Sequence, residues 1–243
     1  MNISILIPCY NESEKIFELI QLLHNLNVSL SRERVSLDFL LVNNGCTDDT
    51  FQKLDIVKPD HASCCRIQIL QVTENIGYGF GVKSALQVTY GKSVCILPAD
   101  GKYDFSEVGY LISTYVDSLS QDLLLKGVRS NRNDPIVIQL LSFLYTKLVN
   151  LLTGIRVKDV NGLPKIFLND FTSRDVRLMS NTACLDATLL SLWARKGRGF
   201  KELPIIFTQN LEGKTSWSGK RTVTTLKMFQ ELVRSTLRIR IAL

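Results

Sequence analysis

Nothing in this 243-residue sequence stays apolar for the length a bilayer core demands. The longest apolar-rich run, Ile136 to Ile155, is broken by Gln139, Lys147 and Asn150 at helical spacing, so it predicts an amphipathic helix and not a membrane span. The N-terminal Met1 to Pro8 shows no basic leader and no small-residue cleavage site, which predicts a cytoplasmic protein. Six cysteines (Cys9, Cys46, Cys64, Cys65, Cys95, Cys184) lack metal-ligand spacing, and adjacent Cys64 and Cys65 could bridge only with strain. Reduced thiols are expected, and neither a disulfide framework nor a zinc site. The turn from Gly77 to Gly81 lacks the final glycine of a dinucleotide fingerprint, and no acid follows it about twenty residues on at a strand end. It reads either as a plain helix start or as a ligand contact. The basic residues have no interleaved aromatic series for base stacking, which excludes nucleic acid as the expected partner. There is no internal repeat and no low-complexity tract.

What the chain does have is charge in one place. Its net charge is +6, and the segment Lys214 to Leu243 holds seven basic residues and one acid, so the body is nearly neutral and the end is a basic appendage. Upstream, β-rich apolar runs at Ile3 to Ile7, Leu37 to Val42, Ile67 to Val72 and Ser93 to Leu97 alternate with helical periods, the first through Ile16, Leu19, Ile20, Leu23 and Leu26. That alternation predicts βαβ units and an α/β fold with a mostly parallel sheet flanked by helices. Beyond Asp104 the pattern loosens, with helices expected near 106–119, 136–152 and 184–196 and strands near 123–127 and 203–207. The loops 59–65 and 169–181 are expected to be mobile.

Right-handed crossovers would bring the ends of the first four strands to one rim. Asn11 and Glu12, Asn43 and Asn44, Glu74 and Asn75, and Asp100 follow those strands in turn. Ligands of open α/β sheets bind beyond the carboxyl ends of the strands, so Asp100, where an apolar run meets a tight turn, stands where a metal or a phosphorylated substrate would sit.

The order Ile7-Pro8-Cys9-Tyr10-Asn11-Glu12, Val42-Asn43-Asn44-Gly45-Cys46-Thr47-Asp48, Asn75-Ile76-Gly77-Tyr78-Gly79 and Ala99-Asp100-Gly101 resembles the nucleotide-binding half of the family 2 glycosyltransferases, which have the GT-A fold. Lys126-Gly127-Val128-Arg129, Val157 to Gly162, Glu202 to Ile205 and Glu212 to Thr215 look like the dolichyl-phosphate mannose synthase and bactoprenol glucosyltransferase branch. The resemblance implies a GT-A domain over 1–213, with a nucleotide-binding half (1–105) and an acceptor half (106–213), followed by a basic amphipathic segment at 214–243. It implies an inverting transferase moving a sugar from a UDP- or GDP-sugar, with Mg2+ or Mn2+ neutralising the leaving diphosphate. The donor contacts it assigns are Pro8, Tyr10, Asn11, Glu12, Asn43, Asn44, Asn75, Gly77, Lys83, Ala99, Asp100 and Lys102. Asp100 matches the metal-facing acid of the family's Asp-x-Asp motif, while Pro98 takes the first acid's place and Lys102 stands where many relatives carry glutamine. Lys102 could repel a cation or pair with the diphosphate. The asparagines Asn43 and Asn44 replace acids common in the family, which tilts the donor toward uridine.

Asp186 matches an acidic position that can act as base on an acceptor hydroxyl, or is an exposed helix-start acid favoured by the helix dipole. A polyprenyl phosphate arrives anionic and needs cations instead, for which Arg129, Arg132 and Lys214 are the candidates. From Val223 onward, Leu226, Phe229, Val233, Leu237 and Ile241 fall on one helical face opposite Lys227, Glu231, Arg234 and Arg238. Such a helix lies on anionic lipid at the cytosolic membrane face, each near-surface cation contributing about 1 kcal/mol. Its other reading is packing against the domain or against a second subunit in a homo-oligomer. A nucleotide-sugar binder of the same fold without turnover is the rival reading, fed by Pro98, Lys102 and Asn43.

Overall fold

Continuous apolar runs make central strands, and the run Ile3 to Ile7 makes the strand on which the sheet is built. The computed structural model describes residues 1–31, 33, 35–56, 66–101, 103–118, 122–130, 132, 134–206 and 230–239. Strand β1 (Asn2–Cys9) buries Ile3, Ile5, Leu6 and Ile7 completely, as expected where helices cover both faces of a parallel sheet. It pairs in parallel with β2 (Ser36–Asn44) on one side and β4 (Ser93–Ile96) on the other, and β2 pairs in parallel with β3 (Arg66–Val72). Helix α1 (Ile16–Leu30) buries Ile16, Leu19, Leu23, Leu26 and Leu30, the stripe its sequence period predicts. Helices α2 (Thr50–Ile56) and α3 (Tyr78–Val88) complete the crossovers, so the four strand ends do share one rim.

The second half extends the same sheet. After α4 (Phe105–Ser118), β5 (Leu123–Ser130) and β6 (Lys165–Leu168) run antiparallel to each other, β6 runs antiparallel to β4, and β7 (Gly199–Ile206) runs parallel to β5. The order is β3-β2-β1-β4-β6-β5-β7. Because β6 is reversed, its first residue, Lys165, pairs with Ile96 at the end of β4. The start of β6 therefore lies at the rim where the parallel strands finish. The sequence period gave no warning of β6, which is four residues long and opens on a lysine. Part of the loop expected to be mobile at 169–181 is instead helix α6 (Ser173–Leu178), begun by a capping box between Thr172 and Asp175. The other expected loop, 59–65, lies outside the described residues. Helix α7 (Leu185–Arg195) is buried along almost its whole length.

Helix α5 (Ile136–Thr153) is amphipathic in the opposite sense to a water-soluble helix. Its polar residues other than the exposed Lys147 turn toward the domain. Gln139 Nε2 donates to the carbonyl of Asp134 (2.8 Å), Ser142 Oγ accepts from Arg129 and Arg132, Thr146 Oγ1 accepts from Val160 N–H, and Asn150 Nδ2 donates to Val157 O (2.8 Å). Its apolar residues face outward: Ile136 is 83 % exposed, Phe143 54 % and Leu151 78 %, with Val137, Leu140 and Leu144 exposed beside them. By length and composition alone it could cross a membrane, but Tyr145, Thr146 and Val149 are buried against the domain.

Residues 230–239 are helical and pack on the domain through Leu232 and Ile239, both fully buried. Val233 and Leu237, expected on the apolar face, point outward, and Ser235 and Thr236 are buried in their place. Glu231 Oε1 accepts from Ser180 Oγ (3.1 Å), fixing this helix to the segment that precedes α7. Tertiary packing has rotated the stripe that hydropathy suggested.

Gly77 and Gly79 meet that same segment. A methyl group on Gly79 would collide with the carbonyl oxygen of Ser180, and Phe80 N–H donates to Asn181 O at 2.9 Å. Gly79→Ala should therefore destabilise the fold by about 1–3 kcal/mol, measured by urea unfolding, because neither backbone can give way.

Candidate functional site

The loop after β1 is folded over the loop after β2. Asn11 takes a left-handed conformation (φ 55°), and its side-chain oxygen accepts from Thr47 N–H (2.9 Å) while its amide donates to Thr47 Oγ1 (3.2 Å). Asparagine is among the few non-glycine residues that adopt this backbone readily. Glu12 N–H donates to Thr50 Oγ1 (2.9 Å), and Asp48 accepts from Ser13 N–H and from Thr50. Burial would raise the Asp48 carboxyl, but the hydrogen bonds from Thr50 and Ser13 outweigh it and hold the group below its usual range. Pro8 is half-buried and Tyr10 is exposed on the rim beside them.

Asn43 and Asn44 are buried. Asn43 Oδ1 accepts from Cys46 N–H (3.2 Å), and Asn44 Nδ2 donates to Gly77 O (3.2 Å), its Oδ1 being buried with no partner. Both amides thus serve the rim's own backbone. Lys83 likewise donates to Met179 O (2.9 Å) and Asn181 Oδ1 (2.7 Å), joining α3 to the segment before α7. Asn75 is packed against Gly45, whose backbone is left-handed (φ 68°) and whose missing side chain lets the two loops touch.

Asp100 stands at the rim in a turn completed by Gly101 (φ 66°), with Ala99 buried behind it. Lys15, at the start of α1, donates its ammonium to the Asp100 carbonyl at 3.0 Å. Nothing in the sequence pattern pointed to Lys15. Tyr103 is buried just past the turn; burial pushes its hydroxyl up, and the carboxylates of Asp100, Asp159 and Asp186 add to that while Arg129 opposes it. One phenol therefore senses both halves of the site. Lys102 and Lys214 lie outside the described residues.

No three His, Cys, Asp or Glu side chains converge among the described residues. A carboxylate just past the end of β4, as at Asp100, suits a hard cation carried in with substrate phosphate better than one caged by protein. Mg2+ or Mn2+ is a cation of that kind. The described cysteines Cys9, Cys46, Cys95 and Cys184 are all free thiols, and burial pushes Cys95 up to about 12.

The far half is organised by buried ion pairs. Arg129 grips Asp159 with two side-chain bonds, Nε to Oδ2 at 2.8 Å and Nη2 to Oδ1 at 2.9 Å. Arg132 pairs with Asp134 (2.7 Å). Both guanidinium groups also reach Ser142 Oγ, at 3.1 Å and 3.2 Å, so two arginines converge on one hydroxyl at the inner face of α5. Lys126, fully buried, donates to the carbonyls of Gly127 and Asp159 and to Glu202 (3.2 Å). Burial first, and then the Lys165 ammonium, pull Lys126 down to about 8, against the opposing pull of Glu202 and Asp159. Asp186 is not an exposed helix-start acid. It is buried in the first turn of α7, 2.7 Å from the Nζ of Lys165.

This sheet order and rim are those of the GT-A glycosyltransferases. The crystal structure of glucosyl-3-phosphoglycerate synthase from Mycobacterium tuberculosis with UDP superposes with a TM-score of 0.67 at 15% identity, covering 97% of this chain and 79% of that one. The same enzyme with Mn2+, UDP-glucose and glycerol 3-phosphate gives 0.64 over 97% of this chain and 79% of that one, again at 15% identity. Residues 4–154 match the model of glycosyl transferase family 2, and the chain belongs to that family. It is 25% identical over 225 residues to the protein described as glycosyltransferase CsbB of Bacillus subtilis (strain 168), covering 89% of this chain and 62% of the relative. It is 21% identical over 221 residues to undecaprenyl-phosphate 4-deoxy-4-formamido-L-arabinose transferase of Salmonella choleraesuis (strain SC-B67), covering 91% and 64%. The chain thus spans less than two thirds of the length of either relative.

The Arg129–Asp159 pair yields a measurable pH effect. Burial alone would raise the Asp159 carboxyl, but Arg129, followed by Lys126, holds it at about 2 against an ordinary 3.8. Its contribution is complete above the ordinary value and is lost as pH falls toward about 2. Asp159→Asn should cost about 3–5 kcal/mol near neutrality and flatten that acid-side loss, read by urea unfolding across this window.

Proposed function

We propose that the chain is an inverting glycosyltransferase that moves a sugar from a UDP- or GDP-sugar to a polyprenyl phosphate, at the cytosolic face of a membrane. A glycan hydroxyl is the second acceptor class. The observation that carries this reading is the juxtaposition at α5: an outward apolar helix face whose inner side holds the convergent guanidiniums of Arg129 and Arg132. A lipid phosphate combines those two chemistries, a chain that needs an apolar surface and an anion that bidentate arginine matches. The undecaprenyl-phosphate transferase among the relatives supports it.

In this reading the donor lies along the rim between the loop of Asn11 and Glu12 and the turn of Asp100. Structures of the same fold hold UDP, UDP-glucose and Mn2+, which supports that placement. A divalent cation on Asp100 supplies neutralisation of the leaving diphosphate. Lys15 brings a second positive charge to the same turn, and Lys102 follows it in sequence. The acceptor oxygen attacks the anomeric carbon from the opposite face, forming one C–O bond as the bond to the diphosphate breaks, so the configuration inverts. A phosphate acceptor needs no proton removed. For a hydroxyl acceptor, Asp186 is the base.

The outward face of α5, with Arg234 and Arg238 exposed on the helix 230–239, forms the membrane-facing surface. The rival, a nucleotide-sugar binder of the same fold without turnover, rests on the departures from the family pattern at Pro98, Lys102 and Asn43.

Incubating the purified chain with labelled nucleotide sugars and membrane lipid extract separates the two. Label entering the organic phase is expected; binding without transfer, whatever the cation, overturns the enzyme. Asp100→Ala should abolish the manganese-dependent part of the thermal stabilisation by nucleotide sugar, and a persisting shift would remove Asp100 from the metal site. Replacing Leu140 and Phe143 together by Glu should lower co-sedimentation with anionic vesicles by about tenfold or more with little change in melting temperature, because both side chains are more than half exposed.

A further inference from the structure

Lys165 has no exposed surface, yet its ammonium is spent on one carboxylate. Its Nζ lies 2.7 Å from Asp186 Oδ1, with side-chain exposures of 0 % and 6 %. The two atoms are close as charges but poorly aligned as a hydrogen bond, and neither has a hydrogen-bond partner among the described residues. A buried pair of this kind stands on Coulomb attraction in a medium that screens it weakly, so removing one member leaves the other charge bare.

The surroundings of Asp186 explain why that matters to the donor. Lys165 from β6 is in contact with it, and the charge of Asp186 is felt by Tyr78 of α3, Tyr103 of the turn after Asp100, Tyr145 of α5 and Cys184 at the start of its own helix. Lys165 is the sole cation of that set, with Lys126 the next nearest along the strand pairing. Lys165 pairs with Ile96 at the end of β4, the strand that leads to Asp100, so the acid it holds lies toward the donor rim. Lys83 and Gly79 pin the segment leading to Asp186 against the donor half.

Building on the donor site argued under Proposed function, we propose that Lys165 is a positioning residue of that site: by compensating Asp186 it lets a nucleoside diphosphate settle beside Asp100 without facing a second bare carboxylate. The proposal separates the two members of the pair by sign. Loss of Lys165 leaves a negative charge that repels the diphosphate. Loss of the Asp186 charge leaves a positive one that does not.

The test is the affinity of the full chain for UDP and for GDP, each with manganese, measured by calorimetry from about pH 6 to about pH 8.5 and divided by the value for the unsubstituted chain at the same pH. Lys165→Met should bind about tenfold more weakly or worse at the alkaline end, with the deficit shrinking toward the acid end, where a lone buried carboxylate takes up a proton. Asp186→Asn should bind as tightly as the unsubstituted chain, or more tightly, at every pH. The double variant Lys165→Met with Asp186→Asn should return to within about threefold, independent of pH. A Lys165→Met ratio that does not change with pH, or a double variant as weak as Lys165→Met, would overturn the proposal, because a packing role moves neither readout. Should Lys165→Met not fold, the sign of Asp186→Asn decides: weakened binding overturns it. An unsubstituted chain that binds neither nucleotide sinks the donor site itself, whereas one that binds while Lys165→Met matches it sinks only the role of Lys165.

Discussion

Two lysines buried side by side set the terms for the second half of this fold. Lys126 and Lys165 are partners in the β5–β6 ladder, and neither ammonium reaches water. An uncompensated buried charge costs several kcal/mol, so each must find an anion, and each finds it on a different element: Glu202 on β7 for one, Asp186 on α7 for the other. Those requirements draw β7 onto β5 and α7 onto the reversed strand. Glu202 in turn accepts from the backbone N–H groups of Lys158 and Asp159, which presents the Asp159 carboxylate to Arg129. A chain of charge compensation thus runs from the sheet interior to the arginines at α5.

The first half obeys a different logic. The middles of its first two strands are apolar, and its rim is fixed by hydrogen bonds from short polar side chains and lysines and by glycines that let backbones touch. The far half is held instead by ion pairs within the protein.

The βαβ alternation was readable because strands and helices at the first four positions each repeat their apolar period several times. Strand β6 was not, since four residues beginning with lysine carry no period. At Asn43, Asn44 and Lys83 residue type suggested ligand contact, but which way a short amide or a lysine turns depends on the backbone carbonyls nearby. The pairing of Lys165 with Asp186 joins a strand start to a helix start across the fold, and no local pattern encodes it. At α5 the composition was legible and its sense was not: hydropathy identifies two faces without saying which meets the protein. The rotation of the stripe at 230–239 has the same origin, as Leu232 and Ile239 found the domain first.

The bond between Glu231 and Ser180 has a mechanical meaning. Ser180 belongs to the short stretch that leads into α7 and carries Asp186, and that stretch is clamped on its other side by α3. A tilt of the helix 230–239, such as a change in how the protein rests on a surface, would exert torque on the arm that presents the acid. Anchorage and chemistry would then share one lever.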